Sequence, residues 1–252
     1  MALFRKVLSS IGVGKATVDT VLDDSSYHAG GTMRAQVVLK GGASDQFIEG
    51  IQIGVVTSFM HDEYHREEFE LVCYDIGHGW TIRAGETERV DVDLELPLDT
   101  PCTLGVIPVW VETRVALEKG RNASDRDPIE VQPGELGALL FEALESLGFR
   151  LVKADLEHKP HFFEVRLPMI QGLEFEVEYG DFKGRVAELE VIYVEYEDGM
   201  DLWLEIDRHT RGMKGMLSAV LEQNESFEYM DLSIDDCHQL REILDNTIRN
   251  ML

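Results

Sequence analysis

"VWVETRVALEKGRNASDRDPIEVQP", Val109 to Pro133, opens on strict alternation. Val109, Val111, Thr113, Val115 and Leu117 fall on one face, and Trp110, Glu112, Arg114 and Glu118 on the other, which is the period of two along a β-strand. An apolar face backed by a charged one marks an antiparallel strand with one side on a core. The second half poses a question: do Asp125 and Asp127 perform chemistry, or do they punctuate the fold? Aspartate oxygens accept from nearby backbone N–H groups and proline fixes φ. Asp125 to Ile129 reads most simply as an acidic turn that closes the last strand pair and leads into a linker, with a metal or catalytic role for its aspartates still open on the residues alone.

Upstream, "ATVDTVL", "GGTMRAQVVLKGG" and "QFIEGIQIGVVTSFM" carry alternating or β-branched runs bounded by glycine. In "ETERVDVDLELPLDTP" the acids Asp91, Asp93 and Glu95 share one face, and Val90, Val92, Leu94 and Leu96 the other. About seven such strands at short spacing predict a β-sandwich over residues 1–133.

After "VQPG" the period changes. Leu136, Leu139, Leu140, Ala143, Leu144 and Leu147 recur at helical spacing, with Gly148 placed to end the helix in the left-handed region. Strands resume at "FRLVKADLE", "HFFEVRLP", "LEFEVEYG", "RVAELEVIYVEYE" and "DLWLEID". Glu174, Glu176 and Glu178 give the third an acidic outer face. A final helix starts at Ser233, which suits an N-cap, with Asp235 and Asp236 favourable in the first turn. Ile234, Cys237, Leu240, Leu244, Ile248 and Met251 form its apolar stripe, expected to dock within the chain. The fold class is thus mainly β: two β-sandwich-like domains, 1–133 and 134–252, with a linker helix and a C-terminal helix.

The charge excludes whole classes of function. The chain carries 48 acidic and 23 basic residues, net −25, so phosphate backbones and anionic lipid surfaces are poor partners. Both halves are acidic, with 22 carboxylates against 12 cations through Pro133 and 26 against 11 after it. Cys73, Cys102 and Cys237 are widely separated with no C-x-x-C spacing, so no disulfide framework or zinc knuckle is indicated, and a reducing cytoplasm fits. "MALFRKVLSSIGVGK" lacks the apolar core and cleavage site of a signal peptide and reads as a short amphipathic helix docked on the protein. No run reaches the roughly 20 apolar residues of a membrane span.

Motifs for catalysis are sparse. "MHDEYHREE" places His61 and His65 four apart among Asp62, Glu63, Glu67 and Glu68. A zincin has Glu directly after the first His, on a helix, whereas Asp62 stands there in a β context. The segment reads as a solvated hairpin end. A metal- or small-ligand-dependent enzyme centred on His61 and His65 is the competing hypothesis. "RGMKG", Arg211 to Gly215, reads as a turn, and G-x-S-x-G, P-loop and dinucleotide fingerprints are missing from the sequence. No catalytic, cofactor-binding or metal-ligating residue is assigned.

Several stretches together resemble the bacterial sporulation-control proteins of the stage-zero M type. They are "GVGKATVDTVLDDSSYHAGGTMRAQVVLKGG", "WTIRAGETERVDVDLELPLDTPCT", "VWVETRVAL" and "DRDPIEVQP", with "FFEVRLP" and "LWLEIDRHTRGMKGMLSAVLEQNES" in the second half. The resemblance implies an arrestin-like N-terminal β-sandwich, no catalytic centre and a role in the control of sporulation, although similar chains occur in bacteria that form no spores. It leaves the Asp125–Asp127 stretch as punctuation. The expectation is a cytoplasmic, non-enzymatic regulatory or scaffolding protein that acts through contacts with other proteins. Exposed sandwich edges also make a homodimer plausible.

Overall fold

The computed structural model describes residues 14–62, 65–118, 122–159, 163–207 and 227–252. The amphipathic N-terminal stretch before Gly14 and "RGMKG" lie outside them, as do the side chains of His61, Asp62 and His65. Two compact units result. One comprises the residues through Thr57 with Glu68–Pro97 and Pro108–Val131, the other Ser58–Glu67, Leu98–Ile107 and Gln132–Leu252.

The first unit is built from β1 (Thr17–Leu22), β2 (Ser26–His28), β3 (Thr32–Lys40), β4 (Gln46–Asp62), β5 (His65–Gly77), β6 (Trp80–Ile82), β7 (Thr87–Glu95), β8 (Val109–Leu117) and β9 (Ala123–Gln132). Strands β1, β3 and β7 form one antiparallel sheet in the order β1-β3-β7. A second sheet runs β4-β8-β9-β2, with β5 and β6 also on β4. Alternation places the core as expected: Met33, Val37 and Leu39 from β3, Ile51, Ile53 and Val55 from β4, and Val109, Val111, Val115 and Leu117 from β8 are all buried. In β7 the odd-numbered acids Asp91 and Asp93 are exposed while Leu94 is buried.

The Asp125–Ile129 stretch is not a turn. It lies inside β9, paired residue for residue with β8: Thr113 opposite Asp125, Val111 opposite Asp127, Trp110 opposite Pro128 and Val109 opposite Ile129. Alternation continues through it, since Asp125, Ile129 and Val131 are buried and Arg126, Pro128 and Glu130 exposed. Local turn preference yields to a long pairing with β8. Pro128 is tolerated because the other neighbour of β9 is the three-residue β2. Asp125 does accept a backbone N–H, but a remote one: its Oδ2 takes Thr20 N of β1 at 2.8 Å. Beside it, Thr20 and Thr113 join their hydroxyls at 2.6 Å. A buried carboxylate thus closes an edge donor of one sheet from within the other.

In the second unit, α1 (Glu135–Ser146) precedes an antiparallel meander of β10 (Phe149–His158), β11 (Met169–Val177), β12 (Glu188–Glu195), β13 (Gly199–Asp207) and β14 (Phe227–Ser233). Two helices follow, α2 (Ile234–Cys237) and α3 (Leu240–Met251). The tip of β4 belongs here too, with Met60 parallel to Glu157. The mainly β fold with a linker helix and C-terminal helices is as expected, and in this unit the layer over the sheet is helical. Leu136, Leu140, Ala143 and Leu144 of α1 and Leu240, Leu244, Ile248 and Met251 of α3 are buried. Opposite them Leu189 and Val191 of β12 and Leu202, Leu204 and Ile206 of β13 are buried on a single face.

Three local readings change. "HFFEVRLP" alternates but is no strand over its described part: residues 163–165 are irregular, and Phe163 and Leu167 bury themselves by lying over the sheet. Strand β14 gave no sequence signal, because its residues are mostly exposed or half-buried. The C-terminal helix begins as expected, with Ser233 and Asp236 in a reciprocal capping box. It then breaks at His238–Gln239, which leaves Ile234 exposed and the rest of the stripe buried. Gly148 ends α1 at φ 92°, where a Cβ would also meet the Tyr179 carbonyl oxygen at 2.1 Å.

Removing the Asp125 carboxylate strands a buried N–H. Asp125→Ala is expected to lower stability by about 1–3 kcal/mol, and Asp125→Asn, which keeps an acceptor oxygen, by distinctly less. Urea unfolding of the two variants checks this, and equal losses would show that the Thr20 bond is not what Asp125 contributes.

Candidate functional site

His61 and His65 fall near the end of β4 and at the start of β5, which pair with each other, so the motif does occupy a hairpin end. Their side chains lie outside the described residues. Among the described residues no cluster of three or more His, Cys, Asp or Glu side chains is arranged to hold a metal. A cavity in the second unit, lined by Leu98, Pro101, Met169, Ile170, Tyr193 and Glu195, encloses about 40 Å³. Pockets for organic ligands start near ~300 Å³, so this one suits a water molecule or two.

Buried acid chemistry would first be sought at Glu195, which is buried on the helix side of β12. Both its oxygens are engaged. Oε1 accepts from Leu136 N at 3.1 Å and Oε2 from Gly137 N at 3.0 Å. Helix α1 has no side-chain cap of its own, so Glu195 supplies a remote one, where negative charge meets the positive end of the helix dipole. Glycine is required by the close approach: a Cβ on Gly134 would sit 2.5 Å from Glu195 Oε2, and one on Gly137 2.9 Å from the Tyr193 hydroxyl. Next to it the Cys102 thiol lies 3.5 Å from Tyr193 Oη, and burial pushes that thiol up to about 11. A protonated buried thiol and a capping carboxylate are structural parts.

The surface of the second unit with most chemical character is the sheet face turned away from the helices. The Trp203 ring of β13 packs, tilted, against Phe163 with centroids 4.8 Å apart and against Tyr229 of β14 at 5.2 Å. Ile170 and Ile192 are buried beneath, with Phe227 packed alongside. Asp201 fixes the strip's edge by accepting from Tyr196 Oη and Tyr229 Oη, each at 2.8 Å. That bond, then burial, pushes the Tyr229 phenol up to about 12.

Toward the other end of the same face, carboxylates oppose carboxylates. Glu190 stands across from Glu205, Glu188 from Asp207, and Glu174 from Glu190 on the far side. Glu205 Oε2 is buried and meets no hydrogen-bond partner among the described residues. Its own burial first, then Glu190, Asp207 and Glu188, push the Glu205 carboxyl up to about 7. On β10, Lys153 pairs with Asp155 and Glu174. The acidic character was legible in the alternation at Glu174 and Glu176. The aromatic strip was not, because Phe163, Trp203 and Tyr229 come from three separate segments.

Comparison with known proteins finds likeness along nearly the whole chain. The family described as "SpoOM protein" matches residues 4–210. A curated relative, the sporulation-control protein Spo0M of Bacillus subtilis (strain 168), is 34% identical over 254 residues, spanning 98% of each chain. The crystal structure of Spo0M from Bacillus subtilis superposes with a TM-score of 0.85 at 32% identity, covering 95% of this chain and 100% of that one.

The raised carboxyl of Glu205 fixes a sign. Folded protein holds the proton up to about pH 7 while unfolded chain releases it near ~4.3, so this group's contribution is lost as pH rises through about 7. Glu205→Gln is expected to stabilise the protein at pH 8, by about 1 kcal/mol after discounting for its partial exposure, and to be neutral at pH 4. Thermal unfolding of wild type and variant across this range checks it; a gain independent of pH would refute the electrostatic origin.

Proposed function

The chain belongs to the SpoOM protein family, and on that footing we propose that it is a cytoplasmic regulator of sporulation that works through protein contacts and catalyses no reaction. The observation that carries the reading is likeness along nearly the whole chain to a protein named for sporulation control. What else supports it is chemical. The buried carboxylate and thiol groups of the second unit are engaged in holding structure. The described cavity is too small for a substrate. The outer sheet face carries tryptophan and tyrosine, the side chains that dominate protein interfaces. We take 1–133 and 134–252 as its two domains, since the change of period and the Pro133–Gly134 step introduce α1 there.

The full chain, immobilised and exposed to cytosol of its own host, is expected to retain a small set of proteins that withstand added salt. Retention of nothing by the full chain at any ionic strength would overturn the reading.

A further inference from the structure

A strand at the edge of a sheet needs a partner for its outward backbone groups, or a device that discourages one. Strand β1 has its device in Asp125, which accepts the Thr20 amide. Strand β14 ends the sheet of the second unit, and among the described strands it neighbours β13 alone. The hydrogen bonds around β13 fix which groups of β14 point away. Gly199 and Asp207 of β13 give their carbonyl oxygens to Tyr196 N and Ala187 N, which flank β12. Odd-numbered residues of β13 therefore turn their backbone groups to β12, and even-numbered ones to β14. Met200, Leu202 and Leu204 stand opposite Leu232, Met230 and Glu228, so the N–H and C=O of Tyr229 and Asp231 are directed outward. Among the described residues no hydrogen bond meets these groups, whereas the next outward amide, Ser233 N, is taken by Asp236 Oδ2 at 3.0 Å.

This edge lacks the usual protection. Its register with β13 runs without a shift, so no bulge bends it, and it contains neither proline nor lysine. The outer edge of β7 differs. There Gly41 N on Glu86 O and Leu96 N on Gly31 O turn the even-numbered residues inward, so the outward backbone belongs to Arg89, Asp91 and Asp93, every one charged.

The sequence of β14 selects a second copy of itself as occupant. A two-fold axis through Met230 lays the strand antiparallel to its own image, with Tyr229 opposite Asp231 of the other copy and Glu228 opposite Leu232. No carboxylate then faces a carboxylate, and the outward N–H and C=O of Tyr229 and Asp231 satisfy one another across the axis. An axis through Tyr229 would instead set Phe227 against Asp231.

We propose that β14 is a self-association edge, pairing antiparallel with β14 of a second copy about a two-fold axis at Met230. The β10–β14 sheets of the two copies then continue as one, with Tyr229 beside the seam. Each copy carries net −25, a repulsion that salt screens, so the dimer strengthens as salt is added. The inference concerns assembly and is independent of the regulatory reading.

Sedimentation equilibrium of the full chain tests it. Wild type is expected to dimerise, more tightly at higher ionic strength. Asp231→Pro deletes an outward N–H at a position where an edge strand tolerates proline. It should weaken the dimer at least about tenfold with the far-UV circular dichroism unchanged. Asp231→Ala keeps the N–H and removes a charge, and should dimerise as tightly as wild type or more so. Oxidation of Met230→Cys should link two copies, because opposed residues at a non-hydrogen-bonded site lie about 4.5 Å apart. Val106→Cys, 77% exposed on a loop, should link no more than wild type with its exposed Cys73. The cysteine variants decide the matter even where proline disturbs the fold. A wild type that stays monomeric at every concentration and salt would overturn the proposal and give the edge to another occupant. So would a dimer that Asp231→Pro leaves intact, one that Asp231→Ala weakens equally, or a Met230→Cys protein that links no faster than Val106→Cys.

Discussion

The second unit is organised by one buried carboxylate. Glu195, at the end of β12, accepts the Leu136 and Gly137 amides of α1 and so fixes where the linker helix starts and how closely it approaches the sheet. That approach dictates glycine at 134 and 137. With α1 seated, its Leu140 and Leu144 and the stripe of α3 cover one face of β10–β14. The opposite face is left for the aromatic strip and the opposed carboxylates. The surface with interaction chemistry therefore follows from the placement of the helices, and that placement follows from a helix end that needed an acceptor.

The first unit solves a similar problem with Asp125. An edge amide of β1 must find an acceptor away from water, and a carboxylate from the other sheet provides it. Placed where an active-site search would begin, the acids of this chain that are buried serve the backbone. Those at the surface behave differently. Arg126 of β9 lies over Trp110 at 5.3 Å and bridges Glu112 of β8 and Glu68 of β5, a partly exposed network of small energetic weight. The 48 acids against 23 bases thus include, among the described residues, a few structural caps and many strand-face carboxylates.

On the outer face of β12–β14, Phe163, Trp203 and Tyr229 form an aromatic strip beside carboxylates that face one another across the strands. Likeness to Spo0M extends along almost the full length of the chain.

Period and composition by themselves determined the class of this protein. Alternation in β3, β4, β7 and β8 marked strands, the change to helical spacing after Pro133 marked α1, and Ser233 with Asp236 marked the final helical start, because each of these signals is local. The net charge of −25 argued against phosphate backbones as partners. Only the tertiary structure decided the rest. Asp125 reads locally as turn chemistry, but pairing with β8 overrides that preference and carries it to Thr20. Phe163 looked like a strand residue and instead lies on Trp203. Glu195 is one acid among many in the sequence, and it becomes a cap only when folding brings α1 over the end of β12. Contacts between residues distant in sequence leave no periodic trace, so the caps and the aromatic strip had to be read from the folded chain.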